Sequence, residues 1–135
     1  MRERKFRAYD RDAEIMVYSD QENDSYFFDF SNGRLRAFRI GTSPGTIDEP
    51  PQPCSTELDN LMDFIGFLDK NNKSIYEGDI YRFNFPLTNK SGARVYVVEW
   101  VEETAEYSIH NKSMNQYIKI IGNIHENKEL LNGHP

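Results

Sequence analysis

The residues of this chain that could do chemistry are its closely spaced carboxylates. Glu77 and Asp79 flank Gly78 in the run Tyr76-Glu77-Gly78-Asp79. Carboxylates two apart on a strand share a face, so they could hold a metal or act as an acid/base pair. The competing reading is structural. Asp79 can accept hydrogen bonds from the backbone of a tight turn at a strand's start, and Glu77 can stay in water. The structural reading is preferred, because no complete site surrounds the pair. The segment Asp69-Lys70-Asn71-Asn72-Lys73-Ser74 begins like a calcium loop. It then places Lys73 where an oxygen ligand is needed, with no glycine following, and so reads as a hairpin turn held by its own Asp and Asn side chains. Asp63, Asp69, Glu77 and Asp79 are together the most that an enzyme or metal-protein reading could use.

The other reactive residue types offer less. His110, His125 and His134 fit no His-x-His or His-x3-His metal spacing and read as surface or packing residues. Cys54 follows Pro53 without a neighbouring His or cation to lower its pKa. There is no glycine-rich phosphate loop and no Gly-x-Ser-x-Gly elbow. The expectation is a non-enzyme with no catalytic residue, no metal and no cofactor.

A basic cluster is the remaining candidate. Arg2, Arg4, Lys5, Arg7 and Arg11 crowd the start of the chain, and Arg34, Arg36 and Arg39 follow later. If strands 4–9 and 34–40 were neighbours, Arg4, Lys5, Arg7, Arg34, Arg36 and Arg39 would form one positive patch. Phe6, Tyr9 and Phe38 could then stack on nucleic-acid bases. The alternative is a charged outer sheet face, or arginines paired with carboxylates of an adjacent subunit. The net charge of −6 and pI near 5.1 favour that alternative, since a polyanion is repelled. Trp100 and Tyr96 on one strand face read as core or as an oligomer contact, aromatics and arginine being the types that dominate interfaces.

The elements that must position these residues are short strands. Nine Phe, eight Tyr and one Trp in 135 residues favour sheet and supply a small aromatic core. Strands are expected over residues 5–9, 15–18, 26–30 and 35–40, with a Ser31-Asn32-Gly33-Arg34 turn. Residues 41–56 hold Pro44, Pro50, Pro51 and Pro53 and read as an extended loop. Residues 57–63 suggest a helical turn. Further strands are expected over 64–68, 74–85, 94–101, 107–110 and 117–121, with a polar loop over 87–93 and a short helix over 127–131, N-capped by Asn127. The fold class is mainly β: a small barrel or sandwich, SH3-like in its C-terminal half, with an N-terminal β-hairpin region and a short C-terminal helix. The organisation is a single domain over 1–135, comprising N-terminal strands (1–40), the proline-rich loop (41–56) and a barrel-like part (57–131).

The single cysteine cannot form an internal disulfide, and no apolar run has the length of a signal peptide or a membrane span. The expectation is a soluble cytoplasmic protein, without membrane association.

Four segments carry a family resemblance. They are the opening Met1-Arg2-Glu3-Arg4-Lys5-Phe6-Arg7-Ala8-Tyr9-Asp10, the cassette from Leu61 to Ile80, the strand Tyr96-Val97-Val98-Glu99-Trp100, and the tail Ile121-Gly122-Asn123-Ile124-His125-Glu126-Asn127-Lys128-Glu129-Leu130-Leu131. The chain resembles the YopX family of bacteriophages and prophages over its whole length except roughly residues 19–56. The resemblance marks Gly66, Asp69, Tyr76, Glu77, Gly78, Asp79, Trp100, Gly122 and Asn123 as family turn or structural positions. Here Tyr9 stands where the family usually has Trp, Phe64-Ile65 where it has Tyr-Thr, Asn72 where it has Gly, and His125 where it has Tyr. The resemblance implies a mostly β fold, a phage or mobile-element context, and a ring-like or other homo-oligomer. The expected function is a phage accessory protein acting through protein–protein contacts with itself and with a host or phage protein. The alternative is a nucleic-acid-binding module built on the arginine patch.

Overall fold

Aromatic and β-branched residues between tight turns give this chain short antiparallel strands throughout. The computed structural model describes residues 4–31, 33–84 and 94–131. Arg2, Asn32, Phe85, the loop expected over 87–93 and His134 lie outside the described residues. The chain divides into two compact units: Lys5–Leu61, and Met62–Pro135 together with Met1–Arg4. The fold is mainly β.

In the first unit, β1 (Phe6–Asp10) and β2 (Ile15–Tyr18) form an antiparallel hairpin. Strands β3 (Tyr26–Ser31), β4 (Arg34–Thr42) and β5 (Pro53–Leu58) form an antiparallel sheet in that order. Its inward residues pack in a small core of Ala8, Val17, Ala37 and Leu58, with Tyr26, Phe28 and Leu61 against it.

The expected loop over 41–56 is corrected here. Its two ends are strand, and they pair from Thr42↔Pro53 to Ala37↔Leu58. The prolines do not prevent this. Pro44, Pro50 and Pro51 sit in the connection, and Pro53 opens an edge strand, where its missing N–H is tolerated. The helical turn expected over 57–63 is also absent, because ladder pairing takes those residues into β5 and into β6 (Asn60–Leu68).

In the second unit, β6 continues and pairs with β7 (Ser74–Tyr76). Strand β8 (Asp79–Phe83) lies between β9 (Val95–Val97) and β12 (Ile118–Asn123). Strands β10 (Trp100–Val101) and β11 (Glu106–Tyr107) form a small hairpin. The core is Ile75, Tyr81, Val98, Ile118 and Ile120, with Ile65, Phe67, Phe83 and Tyr96 around it.

The long strand expected over 94–101 is broken. The Val98 N–H donates to the Asp79 carbonyl at 2.9 Å, and the Gly78 N–H donates to the Val98 carbonyl at 2.8 Å. Those bonds draw Val98 out of line and restart the strand at Trp100. A 3-10 turn over Lys112–Tyr117, opened by Asn111 whose side chain accepts from the Ser113 N–H, has no counterpart in the sequence reading. The expected C-terminal helix is a single 3-10 turn, Lys128–Leu131. Asn127 does not cap it with its side chain as expected; that oxygen accepts from the Asn123 N–H at 3.1 Å.

Candidate functional site

The carboxylates weighed for chemistry are occupied by the backbone. Asp69 is buried. One of its oxygens accepts from the Asn71 and Lys73 N–H groups at 2.8 and 2.9 Å, and the other from Ile120 at 2.9 Å. The ladder between β12 and β8 is irregular next to Ile120, and Asp69 supplies the acceptor there. Asp79, also buried, accepts from the Tyr76 N–H at 2.8 Å. Between them Gly78 sits at φ +88° and Asn72 at φ +63°, both in the left-handed region. This explains why Asn stands at 72 in place of Gly, since Asn is the residue that best tolerates that conformation after Gly. Gly66, at φ +108°, lies at the irregularity in the β6–β7 ladder. Gly122 is required by space, because a Cβ there would fall 2.5 Å from Asn127 Oδ1. Asn123 Oδ1 accepts from the His125 and Glu126 N–H groups at 3.0 and 2.9 Å. The half-buried Glu77 and the exposed Asp63 flank this arrangement, and Asp63 accepts from the Tyr107 hydroxyl at 3.2 Å. Among the described residues, no group of three His, Cys, Asp or Glu side chains is placed to hold a metal.

The expected arginine patch does not assemble. β1 pairs with β2, and β4 lies between β3 and β5 in another sheet, so the two basic segments are not neighbouring strands. Arg7 is only 2 % exposed and Tyr9 is buried, which withdraws both from the surface. Lys5 lies 3.9 Å from Asp20. Arg34 and Arg36 each approach Glu57 at 3.8 Å, and Arg36 also meets Asp29 at 3.7 Å. These cations are matched by carboxylates of the chain itself. Arg4 is exposed.

Arg39 belongs to a node that sequence reasoning missed. Asp10, 1 % exposed, accepts from the Tyr26 hydroxyl at 2.6 Å, from Arg39 Nη1 at 2.9 Å, and from the Asp12 N–H at 3.0 Å. Burial pushes the Asp10 pKa up, but the hydrogen bonds from Tyr26, Arg39 and the turn backbone outweigh it and hold it below the usual value. Burial, and then the bond to Asp10, raises Tyr26 to about 12. In the sequence Asp10-Arg11-Asp12 marks a turn, with nothing to name Tyr26 and Arg39 as its partners.

The outer face of the β3–β4–β5 sheet is the part of the first unit with the character of a contact surface. Strand alternation and register place Phe27, Asp29, Arg36, Phe38, Ile40 and Glu57 together on it. Phe27 stacks across the strands on Phe38, with ring centroids 4.9 Å apart. The Arg36 guanidinium lies 5.0 Å from the Phe38 ring centre, within cation–π range. Phe27 remains 40 % exposed and Ile40 45 %. The face is therefore aromatic and apolar at its centre, with ion pairs along one side.

The second unit has a different feature, an aromatic cleft of about 280 Å³ lined by Tyr81, Tyr96, Val97, Ser108, Ile109 and His110. His110 stacks on Phe83 at 3.7 Å and meets Tyr96 edge-on at 4.9 Å. The Tyr81 hydroxyl lies 2.8 Å from His110 Nδ1. Burial raises Tyr81 to about 12 and keeps its phenol protonated. Burial lowers the pKa of His110, consistent with the neutral ring. His110 is thus a packing residue, one of the two roles its sequence allowed. Of the two roles expected for Trp100, core is corrected: it is 43 % exposed, edge-to-face with Tyr107 at 5.1 Å. Among the described residues, no helix is long and apolar enough to cross a membrane.

Local turn locks thus account for Gly66, Asp69, Gly78, Asp79, Gly122 and Asn123 among the positions singled out in the sequence. The YopX family, described as YopX protein, matches residues 5–132, and the chain belongs to that family. It is similar to protein EF1440 from Enterococcus faecalis, known from a crystal structure, at 28 % identity and a TM-score of 0.57 over 98 % of this chain and 100 % of that one. No curated protein matches the chain.

Proposed function

We propose that the chain is a phage- or prophage-encoded accessory protein that acts through protein–protein contacts, as a homo-oligomer in the cytoplasm of a bacterial host. The observation that carries this reading is the outer face of the β3–β4–β5 sheet. There a stacked Phe27–Phe38 pair, an overlying Arg36 and a half-exposed Ile40 form one surface. Aromatic and arginine side chains on an open face are the types that carry interface energy. Asp69 and Asp79 are used by turns, which leaves catalysis without a residue set. The matched cations of β4 weigh against nucleic acid, because the carboxylates beside Arg34 and Arg36 repel an approaching phosphate. An SH3-like arrangement of the second unit is supported by its antiparallel strands with a 3-10 turn directly before the last one.

The test is affinity purification of the tagged full-length chain from cells of its source organism, with and without nuclease. A specific protein retained after nuclease treatment is the expected result. Material lost on nuclease treatment would overturn the reading in favour of nucleic acid.

A further inference from the structure

We infer that the distal half of the β4–β5 hairpin is a docking arm, whose tip seats Ile47 in an apolar pocket rimmed by basic side chains on a partner protein. The inference rests on the protein-contact reading above and names the part of the molecule that would make the contact.

Three observations carry it. First, Ile47 is fully exposed at the tip. A single exposed apolar residue is ordinary on a protein surface. This one, however, is presented by a built loop. The Thr46 N–H donates to the Glu49 carbonyl at 2.7 Å, and the Glu49 N–H to Thr46 Oγ1 at 3.1 Å. The Ser43 N–H donates to the Gln52 carbonyl at 2.8 Å, and the Gln52 N–H to Ser43 Oγ at 3.2 Å. Gly45 has φ +75°, and a Cβ there would meet the Glu49 carbonyl oxygen at 2.8 Å. The loop is held in one shape.

Second, the arm is uncovered on both faces. Ile40–Thr42 and Pro53–Glu57 are exposed at every position, not at alternate ones. A two-stranded ribbon without a core is marginal in water. This one is stiffened by prolines, which restrict the unfolded chain more than the folded one. A preorganised ribbon loses little freedom on binding.

Third, residues 40–56 contain Asp48 and Glu49 and no lysine or arginine. An apolar tip with two adjacent carboxylates is complementary to an apolar hole with a cationic rim. The same carboxylates repel nucleic acid, and the arm of a second copy, with no lysine or arginine, cannot supply the cationic rim.

The experiment replaces Ile47, in the full-length chain, by a benzophenone amino acid and irradiates producing cells of the source organism. A second chain carries the same probe in place of Phe27. The expected result is a crosslink from position 47 to one protein, at a segment where Lys or Arg flanks apolar residues. Charge reversal by Asp48→Lys with Glu49→Lys should cut that crosslink about tenfold or more without changing Tm, because both side chains point to solvent. A crosslink to a second copy, to nucleic acid, or to proteins in proportion to their abundance overturns the inference, as does a crosslink indifferent to the charge reversal. If position 27 captures a protein and position 47 does not, the arm fails while the contact reading stands. If neither captures a protein, both fail.

Discussion

Asp10 in the first unit and Asp69 in the second are both buried carboxylates, and they are held in opposite ways. Asp69 is held by backbone, from Asn71, Lys73 and Ile120. Two of those donors lie within four residues of it, so the turn is largely self-sufficient. Asp10 takes backbone bonds from Asp12 and Ala13, but its strongest partners are side chains, Tyr26 and Arg39, sixteen and twenty-nine residues away. In the second unit the Asp69 turn is set largely by local chemistry, and the aromatics turn in on one another around His110. The first is tied by a few long-range side-chain bonds. It keeps Phe27, Ile40 and Ile47 turned to solvent. The difference teaches where binding is to be sought. Residues fully used by turns are not available to a partner, and an apolar face with no covering element is.

The sharpest way to break this contrast is Asp69→Ala. It strands three backbone donors, one of them in the β12 ladder, and should cost about 3 kcal/mol or more. Urea unfolding would check it; a loss under 1 kcal/mol would mean that the turn does not depend on its carboxylate.

Asn72→Val is expected to cost about 1–2 kcal/mol, because a β-branched residue resists φ +63°, whereas Asn72→Gly should be neutral or slightly stabilising. Equal Tm values for the two variants would remove the backbone argument.

A smaller effect belongs to the aromatic cleft. Tyr81→Phe removes the bond to His110 Nδ1 and should cost about 1 kcal/mol at neutral pH. His110 has a lowered pKa in the fold, so its contribution is complete above the unfolded value of 6.5 and is lost as pH falls through the folded pKa. His110→Phe should abolish that decline, and a Tm–pH series from 5 to 8 would show whether it does.

Asp10 gives the corresponding test in the first unit. Its pKa is lowered, so its stabilisation is present above 3.8 and is lost as pH falls through the lower folded value. In Arg39→Met the depression should shrink, lowering stability at neutral pH and flattening the acid limb. An unchanged acid limb would mean that Arg39 does not hold Asp10.

How much of this was legible in the sequence follows from the same contrast. The Asp69 turn and the Asp79 bond to the Tyr76 N–H were readable, because Asp, Asn and Gly at those spacings stabilise turns with their own side chains. The Asp10 node was not, since nothing local marks Tyr26 and Arg39 as its partners. Strand β5 was hidden by its prolines. They mark a break in regular structure, and only the register with β4 shows that they occupy a hairpin connection and an edge. Trp100 was expected to pack because Arg94–Val101 alternates cleanly; the tertiary bonds at Val98 interrupt that alternation. The arginines were read as a patch because sequence gives their spacing but not the position of Glu57 across the sheet.

The central claim is that contacts belong to the open sheet face and arm of the first unit, and not to the aromatic surface of the second. The most direct measurement is retention of the co-purified protein by two full-length variants, Phe27→Ser with Ile40→Ser, and Trp100→Ser, each checked for an intact fold by Tm. The account predicts that the first variant loses the partner and that the second keeps it. Retention by the first and loss by the second would contradict it.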